Sequence, residues 1–184
     1  MNITAVRPIN DGEDVRLLQE SIHLLVRPEC QFKSKWITQH RWVVVPRIEH
    51  IDHEEARLIS LAARNFGHES CVAVRNEDLA NVPACYHVPT TIQGIWEFSD
   101  ICTLLGFFSF VLMPRDRSFA VLTSSAGDYY LIGGDTNFVE EAVGTSIATA
   151  RKDFEQYANN HEIREIGTML LKMARRYYEL SQEA

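Results

Sequence analysis

The chain is poor in the residues that announce a chemistry. It has four cysteines, Cys30, Cys71, Cys85 and Cys102, and no two stand as C-x-x-C. No histidine lies at zinc-ligand spacing from a cysteine pair. So sparse a set in 184 residues excludes a disulfide-dense scaffold and predicts buried free thiols. Nine glycines form neither G-x-G-x-x-G nor a P-loop. No cofactor and no metal is therefore expected. The longest apolar run, Leu104–Met113, is too short to span a bilayer. The N-terminus lacks a basic region followed by an apolar one. No membrane partner is expected, and the cytoplasm follows as the default compartment.

Positive charge is also short. Eighteen Lys and Arg stand against 25 Asp and Glu, a net charge of -7. Phosphate backbones need concentrated Lys and Arg, so nucleic acid is excluded as the main partner. An acidic balance is compatible with a basic protein partner.

What is present is ordinary globular material. Hydrophobic residues make up 46% and charged residues 23%, enough apolar surface to offset chain entropy. Neither a repeat nor a linker interrupts it, so residues 1–184 are expected to form one domain.

Periodicity supplies the elements. Asp11–Asp14 is an acidic helix start, followed by Val15, Leu18, Ile22 and Leu25 on one face and stopped by Pro28. Trp36–Arg47 contains Trp42–Val45, a β-branched run that reads as a buried strand, with Pro46 at its end. Asp52 and Glu55 form a capping pair for a helix through Ala56, Ile59, Ala63 and Phe66. Cys71–Val74 is the next strand, and this strand–helix–strand order suits a crossover unit. Tyr86–Val88 reads as a short edge strand, and Gly94 opens a helix through Leu105. Phe107–Met113, Ser118–Thr123 and Tyr129–Ile132 then make an antiparallel meander, because their links are short. Gly133-Gly134 reads as a corner into a helix capped by Asp135 and stopped by Gly144. Thr145 opens another helix, and Ile163–Leu180 the last. The fold class is α+β: a mainly antiparallel sheet, its meander at 107–132, packed against helices, with a helical C-terminus.

Chemistry is harder to find. Glu49, His50 and His53 cluster at a helix start, but the two histidines are three apart across a loop and a cap. The zincin pattern needs four on one helix. Ser124–Asp128 has turn residues and no nucleophile elbow. Arg115 and Arg117 read as exposed loop charges. Lys172, Arg175 and Arg176 form a basic patch favoured near a helix C-terminus. The acidic clusters are the more suggestive: Asp52, Glu54 and Glu55 at one helix start, Asp135, Glu140 and Glu141 at another. They are the candidate partner-binding residues. No catalytic residue is assigned. The last helix repeats apolar residues at Ile163, Ile166, Leu170, Met173, Tyr177 and Leu180. That is a short heptad seam which either docks on the sheet or makes a homodimer.

One resemblance bears on function. Ile95-Trp96-Glu97-Phe98, Phe110–Pro114, Ser118–Leu122, Tyr129–Gly134 and Phe138-Val139 together resemble small bacterial immunity proteins of toxin–antitoxin or contact-dependent inhibition systems. The resemblance covers residues 95–158 and rests on structural positions, so it carries over no toxin-contacting residue. It implies a non-enzymatic binding protein that neutralises a cognate basic toxin by occlusion. Two other classes stay open. One is an enzyme or small-ligand binder with a pocket near His50 and His53. The other is a self-associating structural protein joined through the helix Ile163–Leu180.

Overall fold

A computed structural model of the chain describes residues 5–48, 50–76, 82–104, 109–124 and 129–180, the side chains of 102–104 excepted. The first half runs β1 (Arg7–Pro8), α1 (Gly12–Leu25), β2 (Val26–Arg27), β3 (Gln31–Phe32), α2 (Ser34–His40), β4 (Val43–Ile48), α3 (His53–Asn65) and β5 (Ser70–Arg75). The second runs β6 (Cys85–Pro89), α4 (Ile92–Leu104), β7 (Phe110–Met113), β8 (Phe119–Thr123), β9 (Tyr129–Gly134), α5 (Thr136–Val143), α6 (Ile147–Asn159) and α7 (Arg164–Leu180). Seven of the described strands form one antiparallel sheet in the order β1-β6-β5-β7-β8-β9-β4, and β2 and β3 make a separate ribbon. The chain is an α+β fold with the meander β7-β8-β9 inside the sheet, as expected. Segments 1–4, 77–81, 105–108, 125–128 and 181–184 lie outside the described residues. So do Leu105 at the expected end of the Gly94 helix, Phe107 and Phe108 of the expected meander, and part of the Ser124–Asp128 turn.

Helices cover both faces of the sheet. Ala56, Ile59 and Ala63 of α3, Ile95 and Phe98 of α4, and Phe138 and Val139 of α5 pack with Val45, Ala73, Phe110, Leu112, Val121 and Ile132. Leu18, Ile22 and Leu25 of α1, Ile37 of α2, Phe154 of α6, and Leu170, Met173 and Tyr177 of α7 pack with Val44, Val74, Val111, Ala120, Leu122 and Leu131. Successive strand residues point to opposite faces. A sheet buried on both sides therefore needs runs without polar alternation. That is why Val43-Val44-Val45 and Phe110-Val111-Leu112-Met113 are wholly apolar.

Local signals set the helix ends. The Asp11 carboxylate accepts from the Asp14 N–H at 2.8 Å and starts α1. Asp52 and Glu55 form a reciprocal capping box on α3. Asp135 caps α5, and Gly144 ends it in the left-handed region. Within Trp36–Arg47 the expected strand forms as part of β4, preceded by α2, a two-turn helix ended by left-handed Arg41. Two readings are corrected. Pro46 sits inside β4 and does not end it. It is tolerated because β4 is an edge strand that pairs, among the described strands, only with β9, so one side of its backbone needs no donor. Gly133 and Gly134 continue β9 and do not turn the chain. A Cβ on Gly133 would lie 3.0 Å from the Trp42 ring and 3.1 Å from that of Phe32. These glycines make room for aromatic rings.

β4 and β5 are parallel, separated by β9, β8 and β7, so α3 crosses a sheet into which the meander is inserted. β6 is not an edge: β1 pairs along its outer side. The α7 seam docks inward. Leu170 and Tyr177 are fully buried, and Ile163 stays exposed.

Candidate functional site

The acidic candidates all lie on the α3–α5 layer, and most do structural work. Glu55 pairs with Arg47 at 3.1 Å in a half-buried site. Beside this pair the Tyr130 phenol is pushed well up, by burial first and by the Glu55 charge second. Glu54 pairs with Arg57 at 2.6 Å on the surface. Asp52 and Asp135 are helix caps. Glu140 accepts from the Ile147 N–H at 3.3 Å, and Glu141 binds the Asn65 amide. Phe66 meets Phe138, and Leu58 meets Gly144, so α3 and α5 run antiparallel. Asp52 and Asp135 thus stand at opposite ends of the pair. A 13-residue helix puts them about 20 Å apart.

The histidine cluster does not assemble. His50 is exposed, His53 sets its ring edge-on to Trp96 at 5.5 Å, and Glu49 lies outside the described residues. Among the described residues no three His, Cys, Asp or Glu could share a metal ion. Ser118, His68 and Asp116 meet at the β7–β8 turn without forming a triad. Ser118 Oγ is 2.9 Å from His68 Nε2 and 2.9 Å from Asp116 Oδ1. The carboxylate therefore approaches the imidazole from the nitrogen that faces the serine, where it cannot orient the ring from behind. Arg115 of the same turn is not a free loop charge. It grips Asp14 through two hydrogen bonds of 2.8 and 2.7 Å, which hold the Asp14 carboxyl below its ordinary range.

Cys30, Cys71 and Cys85 are free and buried. Burial pushes the Cys71 thiol up to about 12 and the Cys85 thiol up to about 11. Both stay protonated at neutral pH and are poor nucleophiles.

Among the clefts lined by described residues, two bear on function. The larger, about 770 Å³, runs along α7 beside the β2–β3 ribbon and holds the expected basic patch, Lys172, Arg175 and Arg176. Arg176 is already engaged, with Gln31 Oε1 and Ser34 Oγ each at 3.0 Å.

The smaller cleft, about 310 Å³, lies between α1 and the end of β5. Arg16, Gln19, Glu20, Ile22 and His23 line it from α1, and Arg75 and Asn76 from β5. The α1 residues recur at i, i+3, i+4 and i+7, a stripe beside the helix's buried face. Arg16 and Glu20 pair at 2.5 Å, both more than half exposed, so the bond is weak and replaceable. Arg75 differs. It is 5% exposed, yet its Nε and Nη1 are buried without a hydrogen-bond partner among the described residues. An uncompensated buried charge costs several kcal/mol, and a native fold that keeps one has a reason to.

The ground around Arg75 is polar and strained. Asn76 donates its N–H to Ser109 O at 2.9 Å and its side-chain amide to Arg27 O at 3.4 Å. Ser109 Oγ lies 2.7 Å from the sulfur of Cys30, a non-glycine residue held at φ 53°. Strained backbone of this kind concentrates at binding sites. The end of β5, the start of β7 and the β2–β3 turn thus converge on one buried polar point.

Sequence reasoning missed this place. An arginine closing the apolar run Cys71–Val74 looks like a strand reaching water, and nothing local marks it as buried. The stripe Arg16, Gln19, Glu20, His23 was legible, but a polar stripe beside an apolar one is what any surface helix shows. No family model, curated protein or solved structure matches this chain.

Proposed function

We propose that the protein is a binding protein that holds a small ligand in the cleft between α1 and the end of β5. The observation that carries the reading is the cleft itself, a concavity of about 310 Å³ lined from α1 by the polar stripe Arg16, Gln19, Glu20 and His23, with Asn76 beyond the end of β5. The cleft has the size of a small-ligand pocket. Binding is favoured over catalysis because the Cys71 and Cys85 thiols are held protonated and the Ser118 hydroxyl lacks an oriented base. The test is a ligand screen by thermal shift on the wild type and on Gln19→Trp, which fills the cleft from α1. Ligands that raise the melting temperature of the wild type and not of Gln19→Trp support the reading. It fails if no compound separates the two proteins.

A second reading is the one the immunity-protein resemblance implies: cytoplasmic capture of a basic toxin in a bacterium. What favours it is that Asp52, Glu54, Asp135 and Glu140 are all exposed on the single α3–α5 layer. Electrostatic capture of this kind is steered and salt-sensitive. Co-expression with the products of neighbouring genes tests it. Protection that is lost on Glu54→Lys with Glu140→Lys supports it, and absence of both protection and binding sinks it.

A further inference from the structure

We infer that the larger cleft, between α7 and the β2–β3 ribbon, is a second binding site, and that it takes a small amphipathic monocarboxylate: one carboxylate head on an apolar body. The site is separate from the α1–β5 cleft and stands whether or not that cleft binds anything.

Three observations lead to it. First, the cleft has the room. Its volume is about 770 Å³, within the range of small-molecule pockets. Its α7 wall runs from Thr168 to Glu179, a rise of roughly 16 Å along the helix axis.

Second, the cleft carries positive charge that the fold leaves unanswered. Lys172, Arg175 and Arg176 line it, against the carboxylates of Glu29 and Glu179. That is a surplus of one positive charge, in a chain of net charge -7. Among the described residues none of the three cations makes an ion pair. Lys172 and Arg175 are exposed, so their charged ends are within a ligand's reach. Arg176 is half-buried, and it donates to two neutral acceptors, Gln31 Oε1 and Ser34 Oγ, each at 3.0 Å. These bonds use two of the five N–H groups of a guanidinium. They hold it in place and leave its charge uncompensated. A single carboxylate balances the surplus. A doubly charged phosphate would exceed it and would be repelled by Glu29 and Glu179.

Third, apolar surface lies beside the charge. Met169 is 49% exposed, and it stands three residues before Lys172, its neighbour on the helix surface. Met173 also lines the cleft. Methionine side chains are flexible and adapt to irregular apolar shapes. A large apolar side chain half open to water gains by being covered. A charged end for a head and methionines for a body, side by side in one concavity, suit an amphiphile.

The probe is octanoate. Acetate supplies the head alone, octanol the body alone, and octyl phosphate a head of nearly two charges at about pH 8. All are used at constant ionic strength, below micelle-forming concentrations. Binding is read by calorimetry and by the methyl ¹H–¹³C signals of the methionines. The proteins are wild type, Lys172→Gln with Arg175→Gln, and Gln19→Trp. We expect octanoate to bind the wild type more tightly than the other three compounds do, and to shift the Met169 methyl signal. It should bind the double variant roughly 3- to 30-fold more weakly, the range of two partly exposed ion pairs. Gln19→Trp should bind it as the wild type does. Absence of octanoate binding, or equal or tighter binding of any other probe, overturns the inference. So does undiminished binding by the double variant, and so does loss of binding in Gln19→Trp, which would put the ligand in the α1–β5 cleft. Both residues of the double variant are exposed, so it should fold. If it does not, an unmoved Met169 signal in the wild type overturns the inference equally. Sedimentation tests the other occupant: a wild type that dimerises where the double variant stays monomeric makes the cleft an interface between copies, and the inference falls.

Discussion

Replacing Arg75 by methionine should make the ligand-free protein more stable. Methionine keeps much of the arginine stem's packing and removes the charge. In the wild type the guanidinium is buried with Nε and Nη1 unpartnered. Relief of a poorly compensated buried charge is worth about 1–4 kcal/mol. For a chain of this size each kcal/mol moves the melting temperature by about 2–4 °C. Urea denaturation should show a higher midpoint with an unchanged slope, because the exposed area on unfolding is the same. A residue serving only the fold would behave in the opposite way: its loss would lower the midpoint. A fall of about 1 kcal/mol or more would therefore refute the argument that the buried guanidinium costs the fold stability.

Three further outcomes are expected. Leu170→Glu with Met173→Glu should unfold the monomer and should not dissolve a dimer, because Leu170 is fully buried on the sheet; circular dichroism and sedimentation separate the two results. Gly133→Ala should cost about 1–3 kcal/mol by overpacking against Trp42 and Phe32, read from urea midpoints; a cost near zero would show that those rings can shift. Cys71 and Cys85 have thiols raised from 9.0 to about 12 and about 11 in the fold, so stability is whole below pH 9 and falls as pH rises through 11 and 12. Urea midpoints measured from pH 8 upward check this, and a midpoint that rose with pH would contradict it.

How far the sequence could be read follows from what each signal reports. The capping residues Asp11, Asp52 and Asp135 and the stop at Gly144 were legible because caps are local chemistry. The meander was legible because short links leave a strand no other neighbour. Both of these live within about ten residues. Placement was not legible. Val43–Val45 and Cys71–Val74 flank one helix and suggest adjacent strands, but their neighbours are β9 on one side and β6 and β7 on the other. Nothing in the segment itself records the insertion. Gly133 and Gly134 were misread for the same reason, since the rings that require them belong to distant residues. The acidic clusters were found because they are contiguous in sequence. The α1–β5 cleft was not, because it is assembled from α1 and the end of β5, which are distant in sequence.

The inserted meander also sets an order of events at the ribosome. β4 has one strand partner, β9, and each β4 residue meets a residue synthesised 81 to 91 positions later. At ordinary elongation rates that gap lasts roughly 4–18 s. Throughout it Val43-Val44-Val45 is an apolar strand without a neighbour, the kind of segment that recruits the wrong chain. Pro46 lies in the middle of that strand and cannot donate a backbone N–H to an intruder. A proline that the finished edge merely tolerates is, during synthesis, a guard on the strand that waits longest.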